Sequence, residues 1–295
     1  MTTPQVIHRA AELAQLVAGW KKSGDTIALV PTMGALHGGH LALVNRARSE
    51  CSRVVVSVFV NPLQFGAGED FDRYPRVLSQ DVGALEGRGV DVVFAPEVTD
   101  VYPDWPHTTP TVSAGPVGDT FEGQDRPGHF DGVLTVVSRL FDLVSCDRAV
   151  FGHKDAQQVF LVNRMATNRT PPVDISVVDT VRDPDGLALS SRNTYLSGDD
   201  RVNATRLHQV LTTVSQALVA LPHHATVEEV EEILAGGRQT LAGDGRTLRY
   251  LDVVDRDTFT PFRGGDSRGV VVVVACSVGG VRLIDAVTVD FSGRV

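Results

Sequence analysis

The sequence predicts an α/β protein, a doubly wound parallel sheet followed by a smaller C-terminal α+β domain. Three observations predict it. Helical and strand-like patterns alternate from the start of the chain to about residue 180. The strand-like runs are apolar at consecutive positions, as strands are when helices cover both faces of a sheet. After Arg192 the order becomes helices followed by strands, which marks a separate α+β unit. A chain of 295 residues accommodates two domains at ~150 residues each. They are placed at residues 1–181 and 182–295.

Ile7 to Trp20 carries helical spacing through Ala11, Leu13, Leu16, Val17 and Trp20, and Thr26 to Val30 is a short strand closed by Pro31. His40 to Glu50 returns to helical spacing, and Val54 to Val60 is a β-branched run. Leu78 to Arg88 reads as helix, Val90 to Ala95 as strand, Val133 to Val144 as helix and Ala149 to Phe151 as strand. Ala156 to Thr167 and Ile175 to Val178 repeat the alternation. Beyond the boundary, Ala204 to Leu221 aligns Leu207, Val210, Leu211, Val214 and Leu218 on one helical stripe. Thr226 with Glu229 three positions on has the spacing of a capping box. Leu248 to Val254, Gly269 to Ser277 and Val281 to Val289 then read as strands joined by turns.

Composition excludes several classes of function. The formal charge is −9, so no basic face is available for general nucleic-acid or anionic-membrane binding. A small anionic ligand needs only a local cluster of cations. The composition, 42% hydrophobic and 21% charged, is that of a globular protein and not of a disordered or coiled-coil one. Cys51, Cys146 and Cys276 are far apart, which suits neither a disulfide framework nor a zinc site and points to a reducing, cytoplasmic compartment. Arg9 and Glu12 interrupt any secretory signal, and the apolar run at Val270 to Val274 is far short of the ~20 residues of a spanning helix.

The chemistry concentrates just after the strands, where parallel sheets bind ligands. Pro31-Thr32-Met33-Gly34-Ala35-Leu36-His37-Gly38-Gly39-His40 links a strand to a helix through glycines. Such a turn lets a backbone approach a nucleotide, and the helix N-terminus favours phosphate. In isolation the same residues would read as a glycine turn with two solvated histidines. The flanking strand and helix favour two imidazoles converging on an anion. Asn61 and Gln64 follow the next strand, where two amides can read a small polar substrate, or Asn61 can simply cap a proline turn. Gly152-His153-Lys154-Asp155 places a lysine as in phosphate sites, with Gln158 one helical turn beyond. A solvated lysine with Asp155 as helix cap fits equally. Leu189-Ser190-Ser191-Arg192 offers hydroxyls and a guanidinium suited to phosphate oxygens, or is an ordinary turn. His223 and His224 read as solvated, and His8, His107 and His208 lack a partner motif. Asp70 to Arg73 and Asp199-Asp200 read as solvated faces or caps, and no metal-ligand set is legible. Phe121 to Phe130 is a long Gly-rich loop, a candidate flap.

Six motifs in register carry a resemblance: PTMGALHGGH, FVNPLQFG, YPR, FEGQDRPGHFDGV, FGHKDAQQ and DGLALSSRN. Together they resemble the pantoate–β-alanine ligase family of the HxGH nucleotidylyltransferase superfamily, over nearly the whole chain. The resemblance implies a Rossmann-like sheet of the HUP type. It also implies ATP-dependent adenylation of pantoate with release of pyrophosphate, then attack by the β-alanine amine to give pantothenate and AMP. Mg²⁺, a cytoplasmic homodimer and a place in coenzyme A biosynthesis are implied as well. By motif, Met33, Gly34, Ala35, Leu36, His37, Gly38, Gly39 and His40 line the ATP site. Gly152, His153, Lys154, Asp155, Val181, Leu189, Ser190, Ser191 and Arg192 complete it. His40 would be the general acid, with His37, Lys154 and Arg192 as the other catalytic residues. Gln64 would contact pantoate and β-alanine, Gln158 pantoate, and Asn61 would belong with them. The sequence departs from the family at His153, often Glu, at Ala156, often Tyr, and at Val77, commonly Thr.

The physical reading is compatible. A carboxylate attacking an α-phosphorus needs negative charge neutralised, and an acyl adenylate needs a site closed to water, for which Arg126 to Phe130 are candidates. A nucleotidylyltransferase acting on a phosphate ester would share the histidine turn but lack the paired Gln64 and Gln158. A nucleotide-binding regulator would be expected to lose Lys154 or a motif histidine.

Overall fold

The computed structural model describes residues 3–221, 226–243, 245–264 and 267–291. His223 and His224 lie outside the described residues. The chain divides into two compact units, residues 1–152 with 158–178, and residues 153–157 with 179–295. The division thus falls at 178/179, where the sequence suggests 181/182, and the short segment 153–157 joins the second unit.

In the first unit the strands are β1 (Gln5–Ile7), β2 (Ile27–Thr32), β3 (Arg53–Val58), β4 (Val92–Phe94), β5 (Arg148–Gly152) and β6 (Asp174–Val178). They form one sheet in the order β1-β4-β3-β2-β5-β6, with every pairing parallel. The helices are α1 (Ala10–Lys22), α2 (Gly38–Glu50), α3 (Leu78–Leu85), α4 (Val98–Val101), α5 (Glu122–Asp125), α6 (His129–Val144) and, from residue 158 on, α7 (Ala156–Thr167). The consecutive apolar residues of each strand alternate between two cores. Ile27, Leu29, Val55, Ala149 and Phe151 pack with α1, α6 and α7. Ala28, Val30, Val54, Val56 and Val150 pack with α2 and α3. Burial on both faces, at ~1.5–3 kcal/mol for each large apolar side chain, is why these strands lack polar alternation.

The sheet order reverses between β2 and β5, the topological switch point where open α/β sheets bind ligands. There β2 pairs with β3 along its whole length to Thr32–Val58, but with β5 only at Ala28–Arg148 and Leu29–Ala149. The carboxyl ends of β2 and β5 therefore part, and the segment after Thr32 starts at the opening. The strand β1 departs from the expected helix over Ile7 to Trp20. Its three residues pair with β4, and helix begins only at Ala10.

The second unit contains α8 (Gly198–Ala204), α9 (Arg206–Ala220), α10 (Val227–Leu241) and an antiparallel sheet β7-β8-β9. The strands are β7 (Arg246–Asp255), β8 (Gly269–Val278) and β9 (Val281–Asp290). The predicted stripe Leu207, Val210, Leu211, Val214 and Leu218 packs on alternate residues of β8, Val270, Val272, Val274 and Cys276. Thr226 and Glu229 form the expected capping box of α10. Ala204, expected to open the helix that runs to Leu221, instead ends α8, and α9 starts two residues later.

Candidate active site

The turn after β2 is built by its own hydrogen bonds. Gly34 and Ala35 both take positive φ, +86° and +51°, a conformation that costs a non-glycine residue ~1–2 kcal/mol. Gly34 N–H donates to Thr32 Oγ1 at 3.2 Å. The Asp81 carboxylate, only 2% exposed, accepts from Ala35 N–H at 3.2 Å and from Leu36 N–H at 2.7 Å. His37 then caps α2, its Nδ1 accepting from Gly39 N–H at 3.1 Å, while His40 Nδ1 accepts from His37 N–H at 3.3 Å. This is a reciprocal capping box made of two histidines. The rings lie 4.1 Å apart between centroids.

Two consequences follow. The N–H groups of Gly34, Ala35, Leu36, His37 and Gly39 are engaged within the protein. Both imidazoles accept at Nδ1, which places the ring proton of each neutral ring on Nε2. In that tautomer each ring carries its N–H at Nε2.

The segment after β3 joins this turn. Asn61 is fully buried. Its Oδ1 accepts from Leu63 N–H and Tyr102 Oη–H, and its Nδ2 donates to Gly132 O and Gln64 Oε1. All four hydrogen-bonding positions of the amide have protein partners, so Asn61 holds Gln64 in this structure instead of reaching outward. Gln64 Nε2 donates to Met33 Sδ at 3.2 Å. Burial pushes the Tyr102 phenol up, which keeps its proton available to Asn61. Gly132 permits the approach of α6, since a Cβ there would lie 2.2 Å from Leu63 O.

Residues 121–130, expected as a flap, are packed down. Arg126 makes a two-pronged pair with Glu69 at 2.6 and 2.8 Å and donates to Gln64 O at 3.2 Å. His129 Nδ1 also bonds Gln64 O, at 2.9 Å, and its Nε2 faces Arg126 Nη1 at 3.1 Å. The Gln64 carbonyl is thus held twice. Burial, aided by the Arg126 charge, lowers the His129 imidazole from 6.5 to about 4. The unfolded chain takes up this proton first. The stability contributed by the neutral ring is complete above pH ~6.5 and declines as pH falls toward 4, by about 3 kcal/mol in all. Thermal unfolding between pH 6.5 and 4.5 should accordingly be less steep in pH for His129→Gln than for wild type. Parallel curves would contradict the assignment.

In the second unit, Lys154 Nζ pairs with Asp155 at 3.1 Å and lines a small pocket with Ser190, Arg192, Asn193 and Arg282. The turn carrying Ser190 to Arg192 is set by a hairpin in which Leu189 N–H donates to Val181 O and Asp183 N–H to Leu187 O. Arg182 clamps this hairpin, donating to Gly186 O and pairing two-pronged with the buried Asp285 of β9. Ser190 Oγ caps the Ser191–Tyr195 turn through Arg192 N–H. His153 hydrogen-bonds Thr288 Oγ1 at 2.7 Å, and burial lowers its imidazole. Gly152 belongs to the first unit, where a Cβ would meet nothing nearer than Leu43 at 3.9 Å. Gln158 is half-buried on α7. The named residues thus form two groups, Met33 to His40 with Asn61 and Gln64 in one unit, and Lys154 with Ser190 and Arg192 in the other.

Sequence reasoning missed Asp81, Tyr102, Glu69, Arg182 and Asp285, which position others and carry no motif of their own. Among the described residues no group of three His, Cys, Asp or Glu is arranged to hold a metal, and no helix is long and apolar enough to cross a membrane.

The comparison with protein families decides the assignment. The family model described as Pantoate-beta-alanine ligase matches residues 5–288. The chain belongs to that family. It is 51% identical over 279 residues to a pantothenate synthetase of Acidothermus cellulolyticus, covering 94% of this chain and 89% of that one. The crystal structure of pantothenate synthetase from Thermus thermophilus superposes with a TM-score of 0.86 at 43% identity, covering 97% of this chain and 99% of the other. A Francisella tularensis pantoate-beta-alanine ligase, complexed with beta-gamma ATP and β-alanine, gives 0.77 at 32% identity, covering 96% and 97%.

Proposed function

We propose that the chain condenses pantoate with β-alanine at the expense of ATP, through a pantoyl adenylate. Family membership along residues 5–288 supports the overall reaction. The observation that carries the mechanism is the coupling of the histidine turn to Gln64 through Met33, which ties a nucleotide-facing loop to a substrate-reading amide. In the first step a pantoate carboxylate oxygen attacks the α-phosphorus, the bond to the bridging oxygen breaks, and pyrophosphate leaves. His37 and His40 offer Nε2–H donors to the phosphate oxygens, and Lys154 and Arg192 supply the full positive charges. His40 keeps in this reading the part of general acid that the family resemblance gives it. In the second step the deprotonated β-alanine amine attacks the acyl carbon and AMP leaves. Gln64 orients pantoate and β-alanine, Gln158 orients pantoate, and the packed 121–130 segment limits water.

Mg²⁺ is read as arriving with the nucleotide, because one or two carboxylates plus substrate phosphates suffice to hold it. It would neutralise charge on the departing pyrophosphate. The unpaired cysteines Cys51, Cys146 and Cys276 support the cytoplasmic location, and the homodimer is part of the same family-based reading. The test is turnover: AMP should form only when ATP, pantoate and β-alanine are all present. AMP release independent of pantoate, or ATP binding with no turnover, would overturn the proposal.

A further inference from the structure

The Asp81 carboxylate reaches the histidine turn from another element. It comes from α3, 45 and 46 positions along the chain from its two partners, Leu36 and Ala35. Although it lies near the start of α3, its oxygens serve a different segment. Burying a carboxylate is unfavourable unless its oxygens are occupied, and here each oxygen accepts one loop N–H. The two N–H groups are consecutive and stand directly before the His37 cap. They follow Gly34 and include Ala35, the two residues with positive φ, of which Ala35 has no glycine freedom. The fit is close, since a Cβ on Gly34 would lie 3.0 Å from Asp81 Oδ2 and 3.0 Å from Val58 Cγ1. Without the carboxylate, Ala35 would relax toward negative φ and carry Leu36 and the cap with it.

We propose that Asp81 is a positioning residue that holds the 34–36 turn in its left-handed course and thereby fixes the orientation and tautomer of His37 and His40. The claim rests on the reading that these histidines act on the nucleotide. Asp81 touches no substrate and works through the two loop amides alone.

The experiment compares wild type, Asp81→Asn and Asp81→Asn/Ala35→Gly by pantoate-dependent pyrophosphate–ATP exchange and by ¹⁵N NMR of the imidazoles. An asparagine side chain keeps one acceptor and turns an NH₂ group toward the second amide, so exchange should fall by about tenfold or more. The His37 and His40 nitrogen signals should leave the Nε2–H pattern while those of His129 stay in place. Glycine at position 35 adopts positive φ without the steric penalty, so the double variant should recover about fivefold. Exchange within twofold of wild type in Asp81→Asn, unmoved His37 and His40 signals, or no recovery in the double variant would each overturn the proposal. Should Asp81→Asn fail to fold, backbone hydrogen exchange on wild type decides. Slow exchange at Ala35 and Leu36 supports the clamp and fast exchange refutes it. If wild type showed no pantoate-dependent exchange, the functional reading would fall, and the imidazole signals would then judge the positioning claim alone.

Discussion

Lys154→Ala is expected to lower pantoate-dependent adenylation by at least ~100-fold with the fold intact, and His40→Ala to do the same. Removal of one preorganised donor to a charge that develops in the transition state typically costs ~10²–10³ in rate. Lys154 sits on a short turn at a pocket wall with Asp155 as its ion-pair partner, so its loss removes charge without opening a core. His40 is different, because its Nδ1 also caps α2. His40→Gln, which retains a side-chain acceptor, separates the two roles by preserving the melting temperature better than His40→Ala while restoring little rate. Arg192→Lys should also be damaging, since an ammonium does not reproduce a two-pronged guanidinium. Wild-type kinetics in any purified variant would remove that residue from the catalytic set.

Gln64→Ala is expected to impair both half-reactions by roughly 10- to 100-fold, the cost of a lost, well-oriented hydrogen bond beside an unsatisfied partner. The effect should reach beyond the glutamine itself. Asn61 Nδ2 loses one of its two acceptors and Met33 Sδ its donor, so the histidine turn loses a brace. The discriminating assay supplies synthetic pantoyl adenylate and follows aminolysis by β-alanine. Impaired aminolysis places Gln64 at the second step, whereas normal aminolysis would restrict it to the first.

Much of the fold is legible because its strands are buried on both faces. Val54, Val55 and Val56 form a continuous apolar run whose only stable setting is between two helical layers. The capping box at Thr226 is readable because its chemistry is local. The strand β1 is not, since Ile7 fits a helical stripe as well as a three-residue edge strand, and only pairing with β4, more than 80 residues away, decides between them. The site divides in the same way. His37, His40, Gln64 and Lys154 stand in motifs, and chemistry dictates their types. Asp81 sits in Leu78–Leu85, where an acidic residue in the first helical turn reads as a solvated face. Nothing local announces that it is buried beneath a turn some 45 residues earlier. Asn61 reads as a substrate contact for the same reason, because its partners Tyr102 and Gly132 are distant in sequence. The capping role of the histidine pair is also hidden in the sequence, where HxxH suggests ligands more readily than a helix cap.

The central claim is that pantoate is activated as an adenylate before β-alanine takes part. Labelled pyrophosphate supplied with ATP, pantoate and Mg²⁺, and with no β-alanine, tests it most directly. The account predicts label entering ATP at a rate that depends on pantoate and is lost in Lys154→Ala. Label entering ATP only when β-alanine is also present would contradict a separable adenylate step.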